Sequence, residues 1–283
     1  MSFRNTIDPT VGKVRKNAGK VYESTPSQQI IEVVKPQLMR VGGKQRGIGI
    51  GGAIADTKTA LQSRILLGYS GNSLSNDLGA FTSITTNATV SSTQKKLGSN
   101  SLSFNNQNSG LSFRINEVLR QLKQFSICHW VYFDTSFNYG GPWASWDSNS
   151  IASGQLILLN ASGGSPSIPV FHAAYNGGSI QSIAAASGSW QLNTWYYMIC
   201  EWDRVNNKIR MFINNGLIGE PSIPSGAVLN TGVDTFGLGG YNNADSTITN
   251  AKCYLDEFVI LTGNTTQSER DWLWNSGNGN SLV

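Results

Sequence analysis

Residues 193–219 read NTWYYMICEWDRVNNKIRMFINNGLIG, and their pattern decides the fold class. Side chains alternate across a strand, so Trp195, Tyr197 and Ile199 share one face while Tyr196, Met198 and Cys200 share the other. Both sets are apolar, as a central strand covered on both faces requires. Further on, Ile209, Met211 and Ile213 supply one buried face of a second strand. Asn214, Asn215 and Gly216 then supply residues that accept φ > 0, which a tight hairpin demands.

The same pattern extends outward from this segment. Short apolar or alternating runs separated by Gly, Asn and Ser recur from Arg64 onward: RILLGYS, FTSITT, SLSFNN, SGLSFRI, FSICHWVYFD, GQLILLN, IPVFHAAY, TFGLGGY and CYLDEFVIL. With the two strands above they predict an all-β chain folded as a two-sheet antiparallel sandwich. Helical patterning is confined to ADTKTALQSR (55–64), INEVLRQLK (115–123) and TQSERDWLWNSG (266–277). In the last of these, Thr266 and Glu269 fit a capping box and Gly277 fits a stop.

Charged residues are 13% of the chain, against about 25% in an average globular protein. Residues 1–60 carry ten Lys/Arg and four Asp/Glu, a net of +6, while residues 61–283 carry eleven and thirteen, a net of −2. The division is therefore a basic extended N-terminal arm with a Gly-rich hinge (1–60) and a sandwich domain (61–283). An arm of this composition orders on a partner. Its charges are not interleaved with aromatics, so an acidic protein surface is expected rather than nucleic acid. No apolar stretch is long enough to span a membrane, and the N-terminus lacks the apolar core of a signal peptide. Cys128, Cys200 and Cys253 all lie in apolar runs and are expected to be buried free thiols.

The ordered set of segments resembles the laminin-G-like domains of the concanavalin A-like lectin/glucanase superfamily. LLGYSGN stands as the opening strand, followed by GSNSLSF (98–104), QFSICHWVYFD (124–134), the segment quoted first, then FGLGGYNNADSTITNAKCYLDEFVIL (236–261) and the tail TTQSERDWLWNSGNG. The resemblance implies a jelly-roll, concanavalin A-like sandwich. Domains of this kind occur in structural proteins of tailed bacteriophages, which implies a virion surface protein made in a bacterial cytoplasm. Residues 1–60 would anchor it to other virion proteins of capsid or tail, as a homo-oligomer in the assembly. The alternative is a lectin-like adhesion module recognising glycans.

The superfamily also contains glucanases, which need two carboxyl groups on one side of a cleft about 5 Å apart. Asp256 and Glu257 are adjacent, so a regular strand splits them across its two faces; only a bulge would bring them together. Glu201 and Asp203 share a face, but at a strand end beside Arg204, where an ion pair is expected. His129 diverges from its neighbour Cys128, and His172 is expected in the core or at its rim. Gly47, Gly49 and Gly52 match a dinucleotide fingerprint without the βαβ units it needs. No enzyme is expected.

For a glycan, the candidate residues are Tyr139, Trp143 and Trp146 in the segment FNYGGPWASWDSN (137–149), unless the tryptophans begin a strand and enter the core. For calcium, the candidates are Asp147 and Asp245 among Asn and Ser oxygens; otherwise no cofactor is expected.

Overall fold

The computed structural model describes residues 50–282, apart from 75–77, 80, 82–83, 106–109, 136–139, 146–154, 161–167, 232–234, 243–247 and 251. Most of the expected arm, together with Tyr139, Trp146, Asp147 and Asp245, lies outside the described residues. Strands numbered in chain order form two antiparallel sheets.

The first sheet runs β14 (Gly216–Gly219), β13 (Lys208–Ile213), β12 (Trp195–Asp203), β7 (Gln124–Phe133), β18 (Cys253–Thr262), β1 (Ile65–Tyr69) and β2 (Leu78–Gly79). On the same sheet β5 (Ser101–Ser103) pairs β18 and β4 (Thr89–Ser91). The second sheet runs β11 (Ser179–Ala184), β10 (Pro169–Tyr175), β9 (Leu156–Asn160), β8 (Gly140–Ser145), β15 (Phe236–Leu238), β6 (Gly110–Phe113) and β3 (Ile84–Thr86). A separate ribbon joins β16 (Gly240–Asn242) to β17 (Ile248–Asn250).

The two faces of β12 behave as its alternation requires. Tyr196, Met198, Cys200 and Trp202 enter the core between the sheets. Tyr197 and Ile199 join a second cluster on the outer face with Cys128, Trp130 and Phe212. Leu61 of α1 (Ile50–Gln62), Leu273 of α3 (Gln267–Trp274) and Leu282 of the tail complete that cluster. The helix expected at 55–64 thus starts earlier and crosses the residue-60 boundary. The hairpin after β13 turns on Asn214 and Asn215, at φ 50° and 68°. Positive φ at both central residues matches the twist of the flanking strands.

A short helix, α2 (Asn116–Gln121), follows β6. Thr266 and Glu269 form the expected capping box of α3. The helix stops at Asn275, in the left-handed region, two residues before the expected Gly277.

Three sequence expectations change. Trp143 is fully buried on β8, its ring 5.5 Å from Phe236 and stacked on it, so it belongs to the core and cannot meet a ligand. Glycine and proline around it had suggested a loop, but the alternating faces of β8 decide its direction. Next, the acidic pair is not split. Between Asp256 and Val259, β18 advances three residues while β7 retreats only two, from Trp130 to Cys128. Glu257 is the bulged residue, at φ 48°. Asp256 and Glu257 therefore both serve the outer side. Finally, the ion-pair partner of Glu201 and Asp203 is Arg210 across the hairpin, not Arg204.

The bulged pair fastens two chain segments. Lys96 N and Leu97 N donate to Asp256 Oδ2 at 2.7 and 2.9 Å. Ser281 Oγ and Leu282 N donate to the two oxygens of Glu257 at 3.0 and 2.9 Å. Burial pushes the Asp256 carboxyl up to about 7, with nearby Glu257 adding to the shift and backbone donors opposing it.

Candidate functional site

At the end of β12, strand alternation aims Glu201 and Asp203 onto the outer face, past the edge of the apolar cluster. Direct cross-strand pairing sets Arg210 opposite Glu201. The loop entering α3 closes over them, leaving an open cleft of about 490 Å3. Its walls carry Asn206, Arg210, Asn215, Glu220, Gln267 and Arg270, with Phe212 and Leu217 as apolar surface.

The carboxylates at its base are buried, each only 1% exposed. Glu201 accepts from Ser126 Oγ at 3.0 Å, from Thr265 N and Oγ1 at 2.7 and 2.6 Å, and from Asn264 Nδ2 at 3.1 Å. Asp203 accepts from Gln124 Nε2 at 2.8 Å and from Asn206 N and Nδ2 at 3.0 and 2.8 Å. Arg210 Nη1 bridges the pair, 3.4 Å from Glu201 and 2.8 Å from Asp203. Burial alone would raise Asp203, but hydrogen bonds from Asn206, Arg210 and Gln124 outweigh it and hold the carboxyl below its usual range.

The two carboxylates share one guanidinium nitrogen, and every one of their oxygens accepts a hydrogen bond. A general acid needs a pKa tuned upward. The shift of Asp203 runs the wrong way for that role.

The wall above is preorganised. Arg270 lies over Phe212 at 4.3 Å while its nitrogens donate to Thr265 O and Gln267 Oε1 at 2.6 and 2.8 Å. Asn215 and Gln267 both donate to Asp271 Oδ1 at 2.7 Å. Planar amide and guanidinium groups held beside exposed Leu217 can meet a ligand carrying both hydroxyls and apolar faces.

The other sequence candidates are structural where they are described. His129 is buried between the sheets, against Trp143 and Phe258, and burial pushes its pKa down to about 3. Cys128 lies on the opposite face in the outer cluster, so the two do not pair. His172 is a half-buried rim residue whose Nδ1 lies 2.6 Å from Ser182 Oγ. The three thiols are free and buried. Among the described residues no three His, Cys, Asp or Glu side chains converge as a metal site would need, and no helix is long and apolar enough to cross a membrane. Sequence reasoning missed Arg210 because the two carboxylates it bridges stand on another strand; the alternation of Lys208, Arg210 and Phe212 was the available signal.

Residues 98–269 match the Laminin_G_3 family model, described as the Concanavalin A-like lectin/glucanases superfamily. No curated protein matches the chain. Among solved structures, the botulinum neurotoxin serotype D binding domain aligns with a TM-score of 0.58 at 11% identity, over 76% of this chain and 52% of that one. The serotype G binding domain aligns at 0.56 and 16%, over 74% and 50%. A botulinum neurotoxin type C structure, whose cell entry depends on interaction with two ganglioside molecules, aligns at 0.56 and 13%, over 77% and 52%. At these identities the likeness is one of fold, and this chain spans about half the length of each.

Proposed function

The chain belongs to the concanavalin A-like lectin/glucanases superfamily, and from that premise we propose that it is a non-catalytic carbohydrate-binding module. The observation that carries the reading is the cleft: its buried carboxylates hold Arg210 and the 264–265 loop in place, which suits a fixed binding wall. The fold likeness to a neurotoxin structure that engages gangliosides supports the same direction.

Titration of the purified chain against a glycan array, followed by calorimetry on each hit, tests this. The double variant Asn206→Ala/Gln267→Ala removes polar groups from the rim and is expected to weaken the best cleft ligand about tenfold, an ordinary loss for two such contacts. A blank array, or release of reducing ends from any bound oligosaccharide, would overturn the reading.

The charge asymmetry favours a second, compatible role: residues 1–60, with a net charge of +6, anchor the sandwich to an acidic surface of a bacteriophage capsid or tail. A chain lacking residues 1–60 is then expected to lose particle occupancy in a co-assembly assay. Normal occupancy without the arm would exclude the anchor.

A further inference from the structure

The end of a β-sheet exposes unpaired backbone, and proteins ordinarily blunt it with a short strand, a bulge, proline or charge. Three sheet ends here follow that rule. β2 has two residues, β3 has three, and β14 is bulged at Ile218, between the pairs Phe212↔Leu217 and Met211↔Gly219. β11 does not. It pairs β10 over six consecutive residues with no shift of register, from Tyr175↔Ser179 to Val170↔Ala184. Its sequence, SIQSIA, has neither charge nor proline, and residues 148–200 around it contain no Asp, Glu, Lys or Arg.

The ladder also decides which backbone groups face out. Ala185 N donates to Pro169 O at 3.0 Å. Bonded pairs alternate along an antiparallel ladder, so Ile183, Gln181 and Ser179 bond inward to β10. Ile180, Ser182 and Ala184 therefore turn their N–H and C=O groups to the open side. All three are exposed, Ile180 by 40%. Among the described residues no backbone bond reaches them from that side. β14, an end strand of the first sheet, lies alongside: a side-chain carbon on Gly219 would stand 3.0 Å from Ile183 Cγ2. Its Ile218 is 37% exposed. This flank of the sandwich is an open ladder beside apolar surface, with no charged residue on either strand.

We propose that β11 is the interface of a homodimer, pairing antiparallel with β11 of a second copy about a twofold axis at Ser182. Residues directly opposite each other point to the same face of a sheet, which puts the axis at a residue and not between two. Only an axis at Ser182 brings all three open residues into register. Ser182 then faces Ser182 and Ile180 faces Ala184, each pair exchanging both of its bonds. The two seven-stranded sheets join into one of fourteen. Charge favours a second copy over a foreign strand: an acidic or basic peptide finds no opposite charge here, whereas two neutral edges meet without repulsion. A lone strand would also cover β11 only, while a second sandwich brings up its own β14 and covers the apolar surface of both edges. Because the patch contacts itself, the assembly closes at two copies. The inference does not depend on what the cleft binds.

The test is analytical ultracentrifugation of the full chain over a concentration series, in which the mass should rise from monomer to dimer and no further. Ser182→Pro removes the central N–H on the open side and leaves the bonds to β10 in place, as proline at an edge strand does. Ser182→Lys sets like charges face to face across the axis. Each should weaken dimerisation about tenfold or more while leaving the thermal melt of the domain near that of the parent. Ser182→Cys gives the positive control on register. Opposed Cα atoms in a bonded pair stand about 5.5 Å apart, within disulfide range, so mild oxidation should yield a cross-linked dimer. Ser179→Cys, off the axis at the start of the strand, should not cross-link, and neither should the parent, whose three thiols are buried. A chain that stays monomeric at every concentration overturns the dimer, whether the edge is then left open or taken by a strand of another protein. A dimer that survives both Ser182→Pro and Ser182→Lys and gives no Ser182→Cys cross-link forms through another surface, and overturns it equally.

Discussion

Replacing Arg210 with methionine is expected to cost about 3 kcal/mol of folding stability, because it strands two buried carboxylates that the guanidinium neutralises. Glu201 and Asp203 are each 1% exposed, whereas Arg210 is 18% exposed. The loss is therefore placed at the low end of the roughly 3–5 kcal/mol seen when one partner of a buried pair is removed. Chemical denaturation at pH 7 measures it. Adding Glu201→Gln and Asp203→Asn to the methionine variant should recover much of the loss, since no charge is then left unpaired. The pH dependence has a definite sign. The folded-state pKa of Asp203 is depressed, so its contribution is present above the ordinary carboxylate range and is lost as pH falls through the depressed value. Removing Arg210 should raise that value and move the acid-induced loss to higher pH. A variant as stable as the parent at pH 7 would mean that the neighbouring amides alone hold the carboxylates, and the ion pair would lose its role.

The second large effect concerns His129. Both of its ring nitrogens are buried without a hydrogen-bond partner among the described residues, and burial holds the ring neutral down to about 3. An unfolded chain protonates the same ring near 6.5, so the unfolded state binds the extra proton and stability falls as pH drops from about 6.5 toward 3. Each unit costs about 1.4 kcal/mol, or about 2 kcal/mol by pH 5. His129→Leu removes this term. At pH 7 it should be neutral or stabilising by about 1 kcal/mol, since an unsatisfied polar group is replaced by an apolar one. Relative to the parent, the variant should gain a further ~2 kcal/mol at pH 5. Asp256 acts in the opposite sense: its folded pKa is raised to about 7, so its contribution is present at low pH and fades as pH rises through that value. It is common to both proteins and cancels in the comparison. Parallel stability curves for His129→Leu and the parent between pH 7 and 5 would show that the ring is protonated inside the fold.

Much of the fold was legible because it depends on short-range pattern. The two apolar faces of β12, the Asn-Asn turn after β13 and the capping box at Thr266 each need only a few consecutive residues, and the structure bears them out. Segments with weak patterns were missed. β8 lay in a Gly/Pro-rich stretch that suggested a loop, and β11 alternates polar and apolar groups with little contrast. Trp143 shows the consequence, since a tryptophan among glycines suggested a ligand contact until strand alternation turned it inward.

The acidic pair in KCYLDEFVILTG marks where reasoning along the chain ends. Period-two alternation is a property of regular strands, and it divides Asp256 from Glu257. The bulge that reunites them costs Glu257 an unfavourable backbone conformation, worth about 1 kcal/mol, and hydrogen bonds from residues 96–97 and 281–282 offset it. Those donors are distant in sequence, so no local pattern announces them.

By itself the sequence determined the β-sandwich class, the charge contrast between the first 60 residues and the rest, the buried thiols and the want of a standard catalytic motif. All of these follow from composition and local periodicity. Tertiary structure alone decided that Arg210 serves Glu201 and Asp203, and that Asp256 and Glu257 share a side. The reason is register: which residue stands opposite which is set by packing between strands far apart in the chain, and a shift of one residue would send every one of these side chains to the other face.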